Sequence, residues 1–342
     1  MSEVELPGTG GMFKAAPEDF VVEEIPAYLP SGEGDHTYLF IEKRSLTTDE
    51  AKVRLAKALG VSPDDVGAAG QKDRQAITRQ WLSFPRVAPE LALQVRIDGV
   101  RVLDAKRHGN KLRTGHLHGN RFTIRLRGTT EGLARASRIL SALAQGGMPN
   151  EFGAQRFGKD NVERGRAILR GQRLPGHVSR SQRRLYVSAI QSLLFNQYLA
   201  RRLSDNLMHT AITGDVLKKT DSGGLFVADD GALESVRIRA GECVVTGPMF
   251  GHKMMAPPPE SASAEREQSI LSEAQLTAAD FEKAGPLAEG TRRAISVPVQ
   301  EISVAALAEA NAVVLTFSLP PGSYATVALD RVVHGMKVAP PY

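Results

Sequence analysis

The segment DFVVEEI alternates apolar and polar positions, and after the turn-rich LPSGEGD the segment HTYLFIEKR alternates again. Period-two alternation predicts strands, and their adjacency predicts a hairpin. In SLTTDEAKVRLAKALG, Thr47 and Glu50 have capping-box spacing, Leu55, Ala58 and Leu59 mark an apolar stripe, and Gly60 ends the helix. AITRQWLSF is a further strand. In NRFTIRLRG, Phe122, Ile124 and Leu126 share one face while Arg121, Thr123, Arg125 and Arg127 share the other, so one strand backs a core and offers charge to a surface.

From about Gly147 the sequence becomes Gly- and Arg-rich and runs into RRLYVSAIQSLLFNQYLARRL, where Ile190, Leu193, Leu194 and Tyr198 recur at helical spacing and predict core positions. The low-hydrophobicity APPPESASAEREQ predicts a flexible linker or surface excursion. VVLTFSLPPGSYATVALDRVV then predicts strand, turn and helix. No internal repeat is visible.

With 342 residues, 42% of them hydrophobic, the chain is long enough for two domains or one domain with an insertion. No apolar run reaches bilayer length and MSEVELPGTG has no signal-peptide pattern, so the expected location is the cytoplasm. Cys243 is the sole cysteine, which excludes an intrachain disulfide and a cysteine-based zinc site. His116 and His118 lack a third ligand nearby, so no metal is expected there. The net charge of +5 is unevenly placed. Residues 101–127 hold eight Lys or Arg against one acid and residues 155–202 eleven against two, whereas Glu260 to Glu289 holds seven acids against two bases. That segregation suggests a polyanion-binding surface, although basic runs also serve as solvated faces.

Candidate chemistry centres on GQKDRQAITRQW. Asp73 lies between Lys72 and Arg74, in a loop between a helix and a strand. A carboxylate so flanked is a poor general acid; it fits a salt-bridge partner, a turn residue, or a nucleophile or base.

Five stretches in order, KAAPEDFVVEE, AAGQKDRQAITRQW, LHGNRFTIRLR, NEFGAQRFG and LPPGSYATVALDR, together with the helix SAIQSLLFNQYLARRL, resemble the D-type tRNA pseudouridine synthases (TruD) over nearly the whole chain. The resemblance implies an isomerase that converts uridine to pseudouridine in tRNA, uridine 13 of the D arm in the best-known members. It implies an α/β (α+β) fold, in which a pseudouridine synthase-like catalytic domain with a mixed, largely antiparallel sheet spans residues 1–146 and 299–342. A TRUD-type α/β domain is inserted at residues 147–298. Asp73 falls on the family's catalytic aspartate; Phe20, Asn120, Phe122 and Tyr324 fall on positions that shape the base pocket; Lys14 and Lys72 fall on motif positions suited to cationic partners. Some relatives carry Phe where Tyr324 stands, so the stacking surface is kept and a hydroxyl added.

The implied reaction detaches uracil, rotates it and rejoins it through a ring carbon, with no net redox or hydrolytic step, so no metal or organic cofactor is expected. Asp73 either attacks the electron-deficient anomeric carbon or removes the adjacent proton to form a glycal; the sequence leaves both routes open. Aromatic faces suit an extruded base, and the Asn120 amide suits its polar edge. Without the resemblance, core packing is the ordinary reading of each aromatic. Lys106, Arg107, Lys111, Arg113, Arg156, Arg164, Arg166 and Arg170 are expected to meet tRNA phosphates. Asp330 is a weaker catalytic candidate on a terminal helix, and Cys243 reads as a buried small residue. The rival functions are a non-catalytic RNA-binding protein and an N-glycoside hydrolase using the same aspartate.

Overall fold

The computed structural model describes residues 4–308 and 311–338. The chain divides into two compact units, Met1–Gly147 with Pro298–Tyr342, and Met148–Val297.

The first unit is built on an eight-stranded sheet. Its principal strands are β1 (Phe20–Pro26), β2 (His36–Arg44), β3 (Ile77–Pro85), β4 (Val100–His108), β5 (Leu117–Arg127), β6 (Gln300–Ala306) and β7 (Ala312–Leu319). They lie in the order β6-β7-β5-β1-β3-β2-β4, with the short Gly67–Ala68 segment also paired to β3. Only β1 and β3 run parallel. The expected hairpin of β1 and β2 does not form, because β3 lies between them. β3 is buried along most of its length, so both of its ladder edges need strand partners, and residues 27–35 leave room for it.

Helix α1 (Thr48–Leu59) forms as its capping box predicts. The Thr47 side chain accepts from the Glu50 N–H, the Glu50 carboxylate accepts from the Thr47 N–H at 2.7 Å, and Gly60 closes the helix at φ 67°. Its Ala51, Leu55 and Ala56 are fully buried and pack with Leu39, Ile41, Leu82 and Phe84. Helix α2 (Gly132–Gly146) contacts β6, β7 and α3 (Ala325–His334); β7 and α3 are the strand and helix that the pattern near the carboxyl end predicts.

Direct cross-strand pairing places Arg101, Glu42, Arg79, Glu23 and Arg121 on one face of the sheet. Their charges alternate, with N–O separations of 3.6, 2.9, 3.3 and 3.5 Å, and Arg121 also meets Glu301 at 3.0 Å. The basic face predicted for β5 is therefore neutralised in place: Arg121 pairs with Glu23 and Glu301, and Arg127 and Arg125 with buried Asp19, at 3.0 and 3.9 Å. Burial alone pushes the Asp19 carboxyl up, but hydrogen bonds from Arg127 and the Ala16 N–H outweigh it and hold the group below the usual carboxylate range.

The second unit has a four-stranded antiparallel sheet and the long helix Arg180–Ser204, whose Ile190, Leu194 and Tyr198 are fully buried. Half of the segment expected to be a flexible linker is helical: Ala262–Glu273 is capped by Ser261 and seats Ile270 and Leu271 in the core. The apolar positions that pin it lie beyond the polar stretch, which is why local composition misleads.

Candidate active site

Residues 69–76 form the loop that carries Asp73 from the Gly67–Ala68 segment into β3, and polar groups fasten nearly every residue of it. The Gly115 N–H donates to the Ala69 carbonyl at 2.9 Å, and the Gln80 amide donates to the Gly70 carbonyl at 3.3 Å. The Gln71 amide reaches Asp49 at 3.1 Å, and the Lys72 N–H donates to Thr48 Oγ1 at 2.9 Å. Thr48 in turn donates to Gln80 at 2.9 Å, and Arg74 faces Glu50 at 3.8 Å. The first turn of α1 thus holds one side of the loop and β3 the other.

The Asp73 side chain is 39% exposed, and its Oδ2 lies 4.0 Å from Lys14 Nζ. The same ammonium lies 4.1 Å from the centroid of the Phe20 ring. Carboxylate and aromatic face therefore share one cation, a contact worth roughly 0.5–2 kcal/mol on its aromatic side. Lys14 adopts φ 63°, a left-handed conformation that costs a non-glycine residue of order 1–3 kcal/mol and is held here by the surrounding structure.

Phe20 is 1% exposed and meets Phe122 edge-on at 6.2 Å, and Phe122 stacks on Phe317 at 5.6 Å. Cross-strand pairs put Val22 beside Phe122 and Glu24 beside Asn120, so Phe20, Asn120 and Phe122 share a sheet face. Asn120 Oδ1 is buried with no hydrogen-bond donor among the described residues. Next to it, a Cβ on Gly119 would stand 2.4 Å from the Leu319 carbonyl oxygen, so only glycine permits the close approach of β5 and β7 there. Tyr324 is the residue preceding α3, reached by a short turn from Leu319, the β7 partner of Asn120.

Lys72, the second cation expected beside Asp73, turns elsewhere. Its Nζ lies 2.9 Å from Glu24 Oε2, both side chains are almost fully buried, and Glu24 Oε1 also accepts from the Trp81 N–H at 3.2 Å. Lys72 thus faces Glu24 while its neighbour Asp73 faces Lys14, so adjacency in sequence gave the two side chains no shared contact. Sequence reasoning passed over Lys43. This fully buried lysine donates to the Leu46 carbonyl at 2.6 Å and to the carbonyl of Asp73 itself at 2.9 Å. Burial pulls its pKa down to about 8 against the opposing charge of Asp73. Its signal was legible: in HTYLFIEKR it occupies the same alternate positions as Leu39 and Ile41.

The eight predicted phosphate contacts fare unequally. Arg156 bonds Ser188 and Ser192, Arg164 the Tyr186 hydroxyl, Arg166 the Ala274 carbonyl, and Arg170 Gln275. Lys106 pairs with Asp104, Arg107 donates to the Gly34 carbonyl, and Lys111 to the Asp64 carbonyl. Arg113 is exposed. Asp330 is exposed on α3 and faces His334 at 3.7 Å, and Cys243 is buried, which pushes its thiol pKa up. His116 accepts or donates a 2.6 Å hydrogen bond with the Tyr28 hydroxyl.

The sequence profile described as "tRNA pseudouridine synthase D (TruD)" matches residues 3–174 and 176–332. The chain belongs to the TruD family. A tRNA pseudouridine synthase D of Anaeromyxobacter sp. (strain Fw109-5) is 48% identical over 335 residues, covering 96% of this chain and 94% of that protein. The tRNA pseudouridine synthase D of Thermus thermophilus is 41% identical over 332 residues, covering 96% and 90%. A crystal structure of a Methanosarcina mazei TruD protein superposes with a TM-score of 0.76 at 23% identity, covering 96% of this chain and 94% of that one, and shares the fold. The mixed α/β architecture of the first unit is thus the fold of the TruD family.

Proposed function

We propose that this protein is an isomerase that converts uridine to pseudouridine in tRNA, at uridine 13 of the D arm, without a cofactor. The observation that carries the reading is the Lys14 ammonium shared between the Asp73 carboxylate and the Phe20 ring, at 4.0 and 4.1 Å, in a chain of TruD descent. Asp73 is half-exposed on a fastened loop, which suits a group that must reach the ribose of an extruded nucleotide. Lys14 places a positive charge 4.0 Å from that carboxylate, on the side of the Phe20 ring.

In this reading the flipped base lies against the partly exposed Tyr324, while buried Phe20 and Phe122 shape the pocket from within. Stacking on one ring contributes roughly 1–3 kcal/mol against an unstacking cost of a few kcal/mol. Asn120 Oδ1, buried without a donor, is the acceptor for an N–H on the uracil edge. Residues Met148–Val297 serve as the inserted TRUD-type domain, and the protein works in the cytoplasm; among the described residues no helix is long and apolar enough to cross a membrane.

The test is to incubate the purified protein with unmodified tRNA and map the modified positions. Pseudouridine at one D-arm position is expected. Release of free uracil would replace the reading with N-glycoside hydrolysis, and binding without any change in the RNA would replace it with a non-catalytic role.

A further inference from the structure

The proposed isomerisation uses Asp73, Lys14 and the base pocket, but it leaves the buried ammonium of Lys43 without a task. Lysine is almost never fully buried unless paired, and among the described residues no carboxylate lies within bonding distance of this one. Its hydrogen bonds go to main-chain carbonyls: Leu46 at 2.6 Å, Asp73 at 2.9 Å and, more weakly, Lys72 at 3.5 Å. Two of those three carbonyls belong to the loop that presents the Asp73 carboxylate. A charge without a bonded counter-ion is costly in the interior, so its retention at this point calls for a gain elsewhere.

We propose that Lys43 is a positioning residue for the isomerisation: its charged ammonium, anchored on β2, clamps the backbone of the Asp73 loop and holds the carboxylate at its working height. This rests on the isomerase reading above, yet it makes a demand of its own. The charged groups that bear on Lys43 are Asp73 and Lys72 from the loop and Glu50 from the first turn of α1. Lys72 is committed to Glu24, and Glu50 to the Thr47 cap and to Arg74, so the carboxylate most directly governed by Lys43 is that of Asp73.

Loss of the Lys43 proton weakens the clamp while leaving the fold in place. Its pKa is about 8 in the folded chain and 10.5 for an ordinary lysine, so between these values the unfolded chain holds the proton more tightly. The contribution of this one group to stability therefore rises with pH across that window. Catalysis runs the other way. The protein thus contains a group whose deprotonation lowers turnover without unfolding the chain. Because Lys43 is 0% exposed it touches no RNA, so the effect falls on kcat and leaves KM unchanged.

The experiment measures kcat and KM for unmodified tRNA from pH 7 to 9.5, alongside the thermal midpoint, for the full chain and for Lys43→Met. The wild-type kcat is expected to fall roughly fivefold between pH 8 and 9 as the lysine titrates, with KM unchanged and the midpoint free of a matching drop. Lys43→Met is expected to bind tRNA as the wild type does and to turn over about 10²-fold more slowly, the scale of a small misplacement of a reacting group, with no break near pH 8. The uracil N3–H also ionises on the alkaline side, and a break that persists at the same pH in Lys43→Met would assign it there and overturn the proposal. So would a wild-type kcat that stays level to pH 9.5, or a variant with wild-type kcat. If Lys43→Met does not fold, Glu50→Gln decides: it keeps a capping-box side chain, removes a charge that supports the Lys43 proton, and should move the break to lower pH; an unmoved break overturns the assignment. Absence of pseudouridine from the wild type at every pH would reject the isomerase reading itself, a separate outcome.

Discussion

The second unit closes a buried cluster of charge on itself, whereas the candidate site of the first leaves polar capacity unused. In the second unit Arg202 and Asp215 are fully buried, and Arg202 donates to both Asp215 oxygens at 2.9 Å, to the Leu207 and Thr210 carbonyls and to the Tyr198 hydroxyl. Asp215 accepts further from the Ile212 N–H and from Ser263, so its acceptor capacity is well used. Nearby, Arg292 meets Glu267 at 2.7 Å and bonds Thr246. In the first unit the site leaves chemistry open: Asp73 faces its only ion-pair partner among the described residues at 4.0 Å, and Asn120 Oδ1 lacks a donor. A polar cluster closed on itself specifies structure, whereas one with unused capacity near the surface is ready for a substrate.

Substitutions that break this contrast should differ in sign as well as in size. The largest stability effect belongs to Arg202→Met, which strands Asp215 in the interior and is expected to destabilise by about 3–5 kcal/mol. Urea unfolding followed by far-UV circular dichroism measures it, while emission from Trp81, the sole tryptophan, follows the first unit. Next comes Asn120→Ala, expected to lower kcat/KM by a factor equivalent to roughly 1–3 kcal/mol through the lost base contact. Its thermal midpoint should hold or rise, because the atom removed had no donor to lose. A midpoint drop like that of Arg202→Met would make Asn120 part of the scaffold. The smallest is Thr47→Ala, which removes the α1 cap that braces the Asp73 loop and should cost about 1 kcal/mol in stability; calorimetry measures it.

Local signals read well where one element decides its own form. The Thr47–Glu50 capping box, the Gly60 stop, the alternation of β1, β2 and β5 and the apolar stripe of Arg180–Ser204 all correspond to elements in the structure. Strand order did not follow from adjacency, since β3 enters between β1 and β2 on account of its burial at both faces, a property of the assembled sheet. The arginines of β5 were visible, but their partners Asp19, Glu23 and Glu301 lie on other segments, so a basic face in sequence became a neutral one in space.

The candidate site was legible chiefly through family resemblance. Alternation placed Phe122 on an apolar face, and the cations flanking Asp73 in its loop left a salt-bridge or turn role as open as a catalytic one. What the residues did contain, and reasoning overlooked, was a pair of charges on apolar parity: Glu24 in FVVEE and Lys43 in LFIEK. A charged residue at a core-facing position must find a partner. Here the partners are Lys72 and the Asp73 carbonyl, both on the loop in question.

The most direct measurement compares wild type with Asp73→Asn on unmodified tRNA, scoring bound RNA and pseudouridine in the same samples. The account predicts equal binding, an unchanged thermal midpoint and loss of pseudouridine in the variant, because a neutral amide can neither attack the sugar nor take its proton. Pseudouridine formed by Asp73→Asn at the wild-type rate would contradict it.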